Sequence, residues 1–185
     1  FATNNHEFVS AIYIYDKKDF DNIREAQKWW ISKSLTSLKE DLSKNNINLE
    51  IIEDNHINFF KKLKAKDISV YWNKIYEPQE LRKDKEIIAL LEKNKISFKF
   101  FKGNVLNEYN EITKSDGTPF KVYSPFWRNA ENYYIESVPS KNKPLKKLKK
   151  IKNFFNNQIS PKKILPKKNW YKKFEKYWTP SENDA

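Results

Sequence analysis

Cysteine is absent from the 185 residues, which excludes disulfide scaffolds, thiolate zinc sites, CxxC redox pairs and cysteine nucleophiles and leaves the redox compartment open. Glycine occurs only at 103 and 117, so neither a Walker loop nor a GxGxxG fingerprint can be written in this chain. Histidine occurs only at 6 and 56. The pair lacks metal-ligand spacing, and both read as ordinary structural or surface residues with no metal. No apolar run approaches the length of a membrane span, and no charged segment precedes an apolar one as in a signal peptide, so a soluble cytoplasmic protein is expected. Methionine is absent too, so Phe1 is expected to follow a cut or a missing segment, and the chain reads as a piece of something longer.

What is present suffices for one domain, or a domain and a linker, since 38% of residues are apolar and 16% aromatic. The net charge is +12, yet Arg is confined to positions 24, 82 and 128, so 33 of the 36 basic residues are Lys. Lys abundant together with Asn, Ile, Phe and Tyr is what AT-rich codons produce, so the charge reads either as mutational background or as a nucleic-acid footprint. Its placement is more informative. Residues 141–176 hold 14 Lys against one acid, Glu175, whereas residues 1–140 carry a net charge of +1. A neutral domain is followed by a basic tail.

Along the chain, the β-branched and aromatic run Ile12–Tyr15 predicts a buried strand, followed by a helix capped by Asp21 and reaching about Ser43. Ile23, Ala26, Trp30, Leu35, Leu38 and Leu42 would share one face of that helix. The pattern then repeats: a strand at Leu49–Ile52, a helix starting at Asn55, a strand at Ile68–Trp72, a helix over about Asp84–Lys93 and a strand at Ile96–Phe101. Strands alternating with helices predict an α/β fold with a parallel sheet. Residues 103–125 read as loop with a turn at Ser115-Asp116-Gly117, a place for a ligand-facing region. Beyond Pro139, prolines among lysines read as a linker containing one short amphipathic helix with Leu145, Leu148, Ile151 and Phe155.

Five ordered motifs then carry a resemblance. Trp29-Trp30 with Ser34-Leu35 and Leu38 matches a WWxxxSLxxL helix. Val70 to Asn73, Tyr76-Glu77-Pro78, Arg82 and Asp84 match a VxWNxxYEPxxxxRD segment, with Lys83 before the Asp. Gly103 to Leu106 matches GNxL, and Thr113 to Arg128 matches TKxGxPYKVFTPFWR, with Phe120 for Tyr and Tyr123-Ser124 for Phe-Thr. Leu165-Pro166, Trp170, Trp178, Pro180, Glu182 and Ala185 fit LPxxxW...WxPGExGA, with departures at Ser181 and Asn183. In this order and spacing they resemble the amino-terminal half of the DNA photolyase and cryptochrome family, most like bacterial class I cyclobutane pyrimidine dimer photolyases.

That resemblance implies a Rossmann-like, doubly wound parallel sheet holding an antenna chromophore over residues 1–138, and a basic linker over 139–185 leading to a helical domain that binds FAD. The family's first strand, with an FRxDLRxxDNxAL pattern, would precede Phe1. In doubly wound sheets of this type that strand is central, so its absence would leave unpaired backbone at about 1–3 kcal/mol per buried group, against a total stability of about 5–15 kcal/mol. The piece alone is therefore expected to be unstable. The implied activity is light-driven repair of pyrimidine dimers in damaged DNA, in which photoexcited reduced FAD supplies an electron; it needs no protein nucleophile, so no catalytic residue is assigned here. The protein would act as a monomer without a membrane. A cryptochrome photoreceptor and a free-standing chromophore-binding module are the rival functions; a helical domain encoded after Ala185 would exclude the module.

For the antenna, folate-type members use a carboxylate in the loop after the third strand seen here to grip the pterin's amino and ring nitrogens. The matching residue is Glu80, with Gln79 as an amide partner; a carboxylate suits a planar amidine-like edge because it accepts two parallel hydrogen bonds. The other reading of Glu80 is a solvated residue favoured by a helix dipole. Deazaflavin-type members use an Arg and an acid where this chain has Gln27 and Ile75, so methenyltetrahydrofolate is favoured over a deazaflavin, with no antenna the remaining option. Trp29, Trp30, Trp72 and Trp127 are expected to be packing residues with satisfied indole N–H groups, since the family's electron relay belongs to the helical domain. Arg128 is expected to be a structural ion-pair or cap residue. The lysine-rich tail reads as a solvated linker face in preference to a DNA contact, because it lacks Arg.

Overall fold

The computed structural model describes residues 1–64, 67–131 and 147–181. They divide into two compact units, one of Phe1–Lys62 with Leu145–Ala185, the other of Leu63–Pro144. The boundary expected at 138/139, together with Pro139, Pro144, Leu145, Glu182, Asn183 and Ala185, lies outside the described residues.

In the first unit a short helix α1 (Ala2–Asn5) precedes β1 (Ser10–Tyr15), α2 (Lys17–Asp21), α3 (Glu25–Ser43), β2 (Asn48–Glu53) and α4 (His56–Lys62). β1 and β2 run parallel, in register from Ser10 opposite Asn48 to Tyr15 opposite Glu53. The second unit holds β3 (Ser69–Asn73), α5 (Pro78–Lys93), β4 (Ser97–Phe101) and α6 (Tyr123–Ala130). β3 and β4 are parallel too, from Ser69 opposite Ser97 to Asn73 opposite Phe101. The expected α/β class and parallel pairing are present. Among the described residues the strands form two separate pairs, so neither β1 nor β3 has a strand on its second edge.

The chain turns from helix to strand without glycine. Helices are usually closed by a left-handed Gly; here Asn46 (φ 61°) and Lys95 (φ 55°) take that conformation. The turns are held by Ile47 N–H donating to Leu42 O (3.1 Å) and Ile96 N–H to Leu91 O (2.9 Å). Phe20, Leu35, Leu49, Ile51 and Ile164 form the buried core of the first unit, with Tyr13, Tyr15 and Ile31 packed against it.

Four expectations need correction. Asp21 does not cap the long helix: it ends α2, which Asp16 caps by accepting from Lys18 N–H, and α3 starts with Gln27 Oε1 accepting from Arg24 N–H. α5 begins at Pro78, not near Asp84, because Pro at the first helical position has its φ already set and no N–H to lose. The loop ends at Val122, as α6 starts at Tyr123. The expected turn is formed within that loop, with Gly117 at φ 77°. Residues 147–155 contain no helix. Their backbone groups are claimed by the first unit instead: Leu148 N–H donates to Asn45 O, Lys149 N–H to Glu7 O, and Phe154 and Phe155 N–H to Glu50. The tail continues across β2 through a bridge of Gln158 with Ile52, accepts from Ser32 Oγ at Pro161 O (2.8 Å), and buries Ile164.

Candidate functional site

Open α/β folds bind ligands beyond the carboxyl ends of their strands. In the second unit that place is the turn from β3 into α5, residues 74–77, facing the segment after β4. Gly103 lets the two come together: a Cβ there would sit 1.9 Å from Lys74 O, inside any tolerable contact with backbone. Glu108 braces the turn. Its Oε1 accepts from Tyr76 Oη (2.7 Å) and from Lys74 Nζ (3.1 Å), and the Lys74 ammonium also lies 4.6 Å from the Phe100 ring centre. Glu111 ties the brace further, accepting from Glu108 N–H and Lys102 Nζ. The Tyr76 hydroxyl and then Lys74 hold the Glu108 carboxyl below its ordinary pKa, whereas desolvation and Glu108 push the Tyr76 phenol up.

The residues expected to hold a chromophore follow this turn in the chain, at the start of α5. Glu80 sits half-buried in the first turn of α5, where an acid is favoured by the helix dipole, and Lys83 Nζ donates to its Oε1 (2.9 Å). Gln79 is exposed one position earlier. One turn on from Glu80, Asp84 has its carboxyl pushed above the ordinary range, first by desolvation and further by the Glu80 charge; the Trp72 indole opposes the shift. Trp72 packs on Phe98 and Phe100, and its Nε1 is closed to solvent without a partner in hydrogen-bonding geometry. Two carboxylates one turn apart beside a half-buried indole suit a flat ligand with an N–H-rich edge, which would relieve their mutual repulsion.

The other singled-out residues are spread more widely. Trp29 is buried and stacks on Tyr171; its Nε1, like that of Trp72, is shut off from solvent without a partner in full hydrogen-bonding geometry, and the carboxylates on which the two indoles act are Glu175 for Trp29 and Asp84 for Trp72. Trp30 and Trp127 are surface residues at 43% and 39% exposure, set against Trp178 and Tyr123. Gln27 serves the start of α3, Ile75 is exposed, and Arg128 lies in the last turn of α6. Glu108 carried no signal in the sequence, because its partners Lys74 and Tyr76 are 34 and 32 positions away. His56, read as structural, lies with Asp16 and Asp19 in a group whose ligand atoms are all within 4.8 Å of one another.

A family model described as DNA photolyase matches residues 1–145. The chain belongs to the DNA photolyase family. It is 30% identical over 181 residues to a deoxyribodipyrimidine photo-lyase of Agrobacterium fabrum, covering 96% of this chain and 37% of that protein. It is 28% identical over 117 residues to cryptochrome-2 of Arabidopsis thaliana, covering 61% and 19% of the two chains. The chain therefore spans well under half the length of these relatives. Among solved structures, it is similar to a bacterial class III photolyase from Agrobacterium tumefaciens, with a TM-score of 0.75, 28% identity, and coverage of 99% of this chain and 38% of that one. The bacterial likeness is thus to a class III photolyase, where the motifs led us to expect class I. No helix among the described residues is long and apolar enough to cross a membrane.

Proposed function

We propose that this chain is the antenna-chromophore part of a deoxyribodipyrimidine photolyase that repairs cyclobutane pyrimidine dimers in damaged DNA under light. The observation that carries the reading is the alignment with the Agrobacterium photo-lyase over 96% of the chain. Residues 1–138 would form the antenna domain and 139–185 the connection to a helical FAD-binding domain, in a monomeric cytoplasmic enzyme. FAD bound by that domain would supply the photoexcited electron for dimer splitting. This chain's own residues would bind and orient the antenna, methenyltetrahydrofolate in preference to a deazaflavin. Glu80 would accept from the pterin's N–H edge, Gln79 would serve as amide partner, and the Glu108 brace would hold the β3–α5 turn in place.

Its test uses the protein extended by its flanking sequence, reduced with FAD bound, illuminated with near-UV to blue light, and assayed for loss of thymine dimers from an irradiated oligonucleotide. Repair that depends on light supports the proposal. Absence of repair despite bound FAD overturns it in favour of a cryptochrome photoreceptor, the reading that similarity to cryptochrome-2 keeps in play. In the repair-active protein, Glu80→Ala should remove antenna absorbance and its gain in the action spectrum while repair driven by direct flavin excitation persists. Unchanged antenna absorbance would overturn the role of Glu80.

A further inference from the structure

We propose that Asp16, Asp19 and His56 form a zinc-type divalent-cation site at the carboxyl edge of the β1–β2 pair. The parallel register puts Tyr15 opposite Glu53, so both strands end at the same edge. Asp16 follows β1 directly, Asp19 lies three residues on in α2, and His56 opens α4 just beyond β2. Asp16 and Asp19 are therefore neighbours on one helical turn, and the strand register brings His56 to them from the adjoining connection. A carboxylate oxygen of each aspartate and a ring nitrogen of His56 all lie within 4.8 Å of one another.

Two further features point to a cation. Asp16 is only 6% exposed, and its carboxylate is oriented by Asn55 Nδ2 (2.7 Å) and Lys18 N–H (3.0 Å), as outer partners orient a metal ligand. Independently, the Nδ1 of half-buried His56 is shut off from solvent and has no hydrogen-bond partner.

One imidazole and two carboxylates match the N/O donor set of Zn²⁺, with about 2.0–2.2 Å to each ligand and a fourth position for water. Mg²⁺ and Ca²⁺, which prefer all-oxygen sets, fit less well. Ligands at those lengths in a tetrahedron stand about 3.4 Å apart, so the group need only contract on binding. The bound ion would clip the start of α2 to the start of α4 across the ends of β1 and β2.

The test strips the full chain with chelator and titrates it with Co²⁺, read by visible d–d absorption, followed by displacement with Zn²⁺. One equivalent of Co²⁺ should bind and be displaced by Zn²⁺. Asp19→Asn and His56→Gln should each weaken binding by roughly tenfold or more, with far-UV circular dichroism unchanged. His6→Gln, at the other histidine, should bind as the parent does. Failure to saturate at one equivalent, or binding that survives both Asp19→Asn and His56→Gln, would overturn the site.

Discussion

Glu50 offers the sharpest test of how the basic tail is held to the α/β core. It lies at the middle of β2 with no solvent exposure, and its carboxylate accepts four hydrogen bonds. Ser10 Oγ (2.8 Å) and Phe154 N–H (3.0 Å) donate to Oε1; Phe155 N–H (2.9 Å) and Gln158 Nε2 (2.8 Å) donate to Oε2. Three of the four donors belong to residues 154–158, so one buried side chain anchors the tail. Hydrogen bonds to a charged group contribute about 1.5–3 kcal/mol each, but they are not additive and the freed donors partly rehydrate. Glu50→Ala should then cost about 3–5 kcal/mol, since it leaves four donors without their acceptor at about 1–3 kcal/mol for each that stays buried. Glu50→Gln keeps one acceptor oxygen but turns its NH₂ toward two donors, so it should cost roughly 3 kcal/mol and not be silent. With a urea slope of about 2 kcal/mol/M, that loss lowers the midpoint by about 1.5 M; a variant already unfolded without urea counts the same way. Hydrogen exchange supplies the local readout, since the Phe154 and Phe155 amides should lose protection before the β1–β2 pair does. A midpoint within about 0.3 M of the parent for Glu50→Ala, with both amides still protected, would refute the assignment.

Gly103→Ala should destabilise the second unit by about 1–3 kcal/mol or more, because the new methyl meets the Lys74 backbone and not a side chain that could swing away; an unchanged melting temperature would contradict this. Glu108 has its folded pKa lowered by Tyr76 and Lys74, so its stabilisation is complete above the ordinary carboxylate value and lost only as pH falls through the lowered one. Glu108→Gln should accordingly flatten the acid limb of the stability profile, and an identical limb would count against the brace. Asp84 is the opposite case: its raised pKa means that stability falls as pH rises through that value, so Asp84→Asn should gain stability at neutral pH and little in acid. Denaturant midpoints at two pH values decide it, and a loss at neutral pH would show the charged form to be favourable.

Much of the architecture was legible because it rests on local periodicity. Ile12–Tyr15, Leu49–Ile52, Ile68–Trp72 and Ile96–Phe101 each fall on an observed strand within a residue or two at either end. The Asn55 helix start is equally local, its side chain accepting from Ile57 and Asn58 N–H. The failures share a cause. Leu148 and Ile151 have helical spacing, yet residues 147–155 form no helix because Asn45, Glu7 and Glu50 offer partners about a hundred or more positions away. Asp21 does not cap α3 because it ends a separate five-residue helix, α2, too short for hydrophobic periodicity to reveal.

The sequence by itself determined the family, the alternation of strands and helices, and the place of Glu80 and Gln79 after the third strand, since each depends on neighbours a few residues apart. Tertiary structure alone decided the rest. The Glu108 clamp on Lys74 and Tyr76, the Glu50 anchor and the meeting of Asp16, Asp19 and His56 all join groups more than thirty positions apart in the chain. Such pairs depend on strand register and on where the loops cross, quantities set by packing over the whole unit, and no spacing along the chain encodes them.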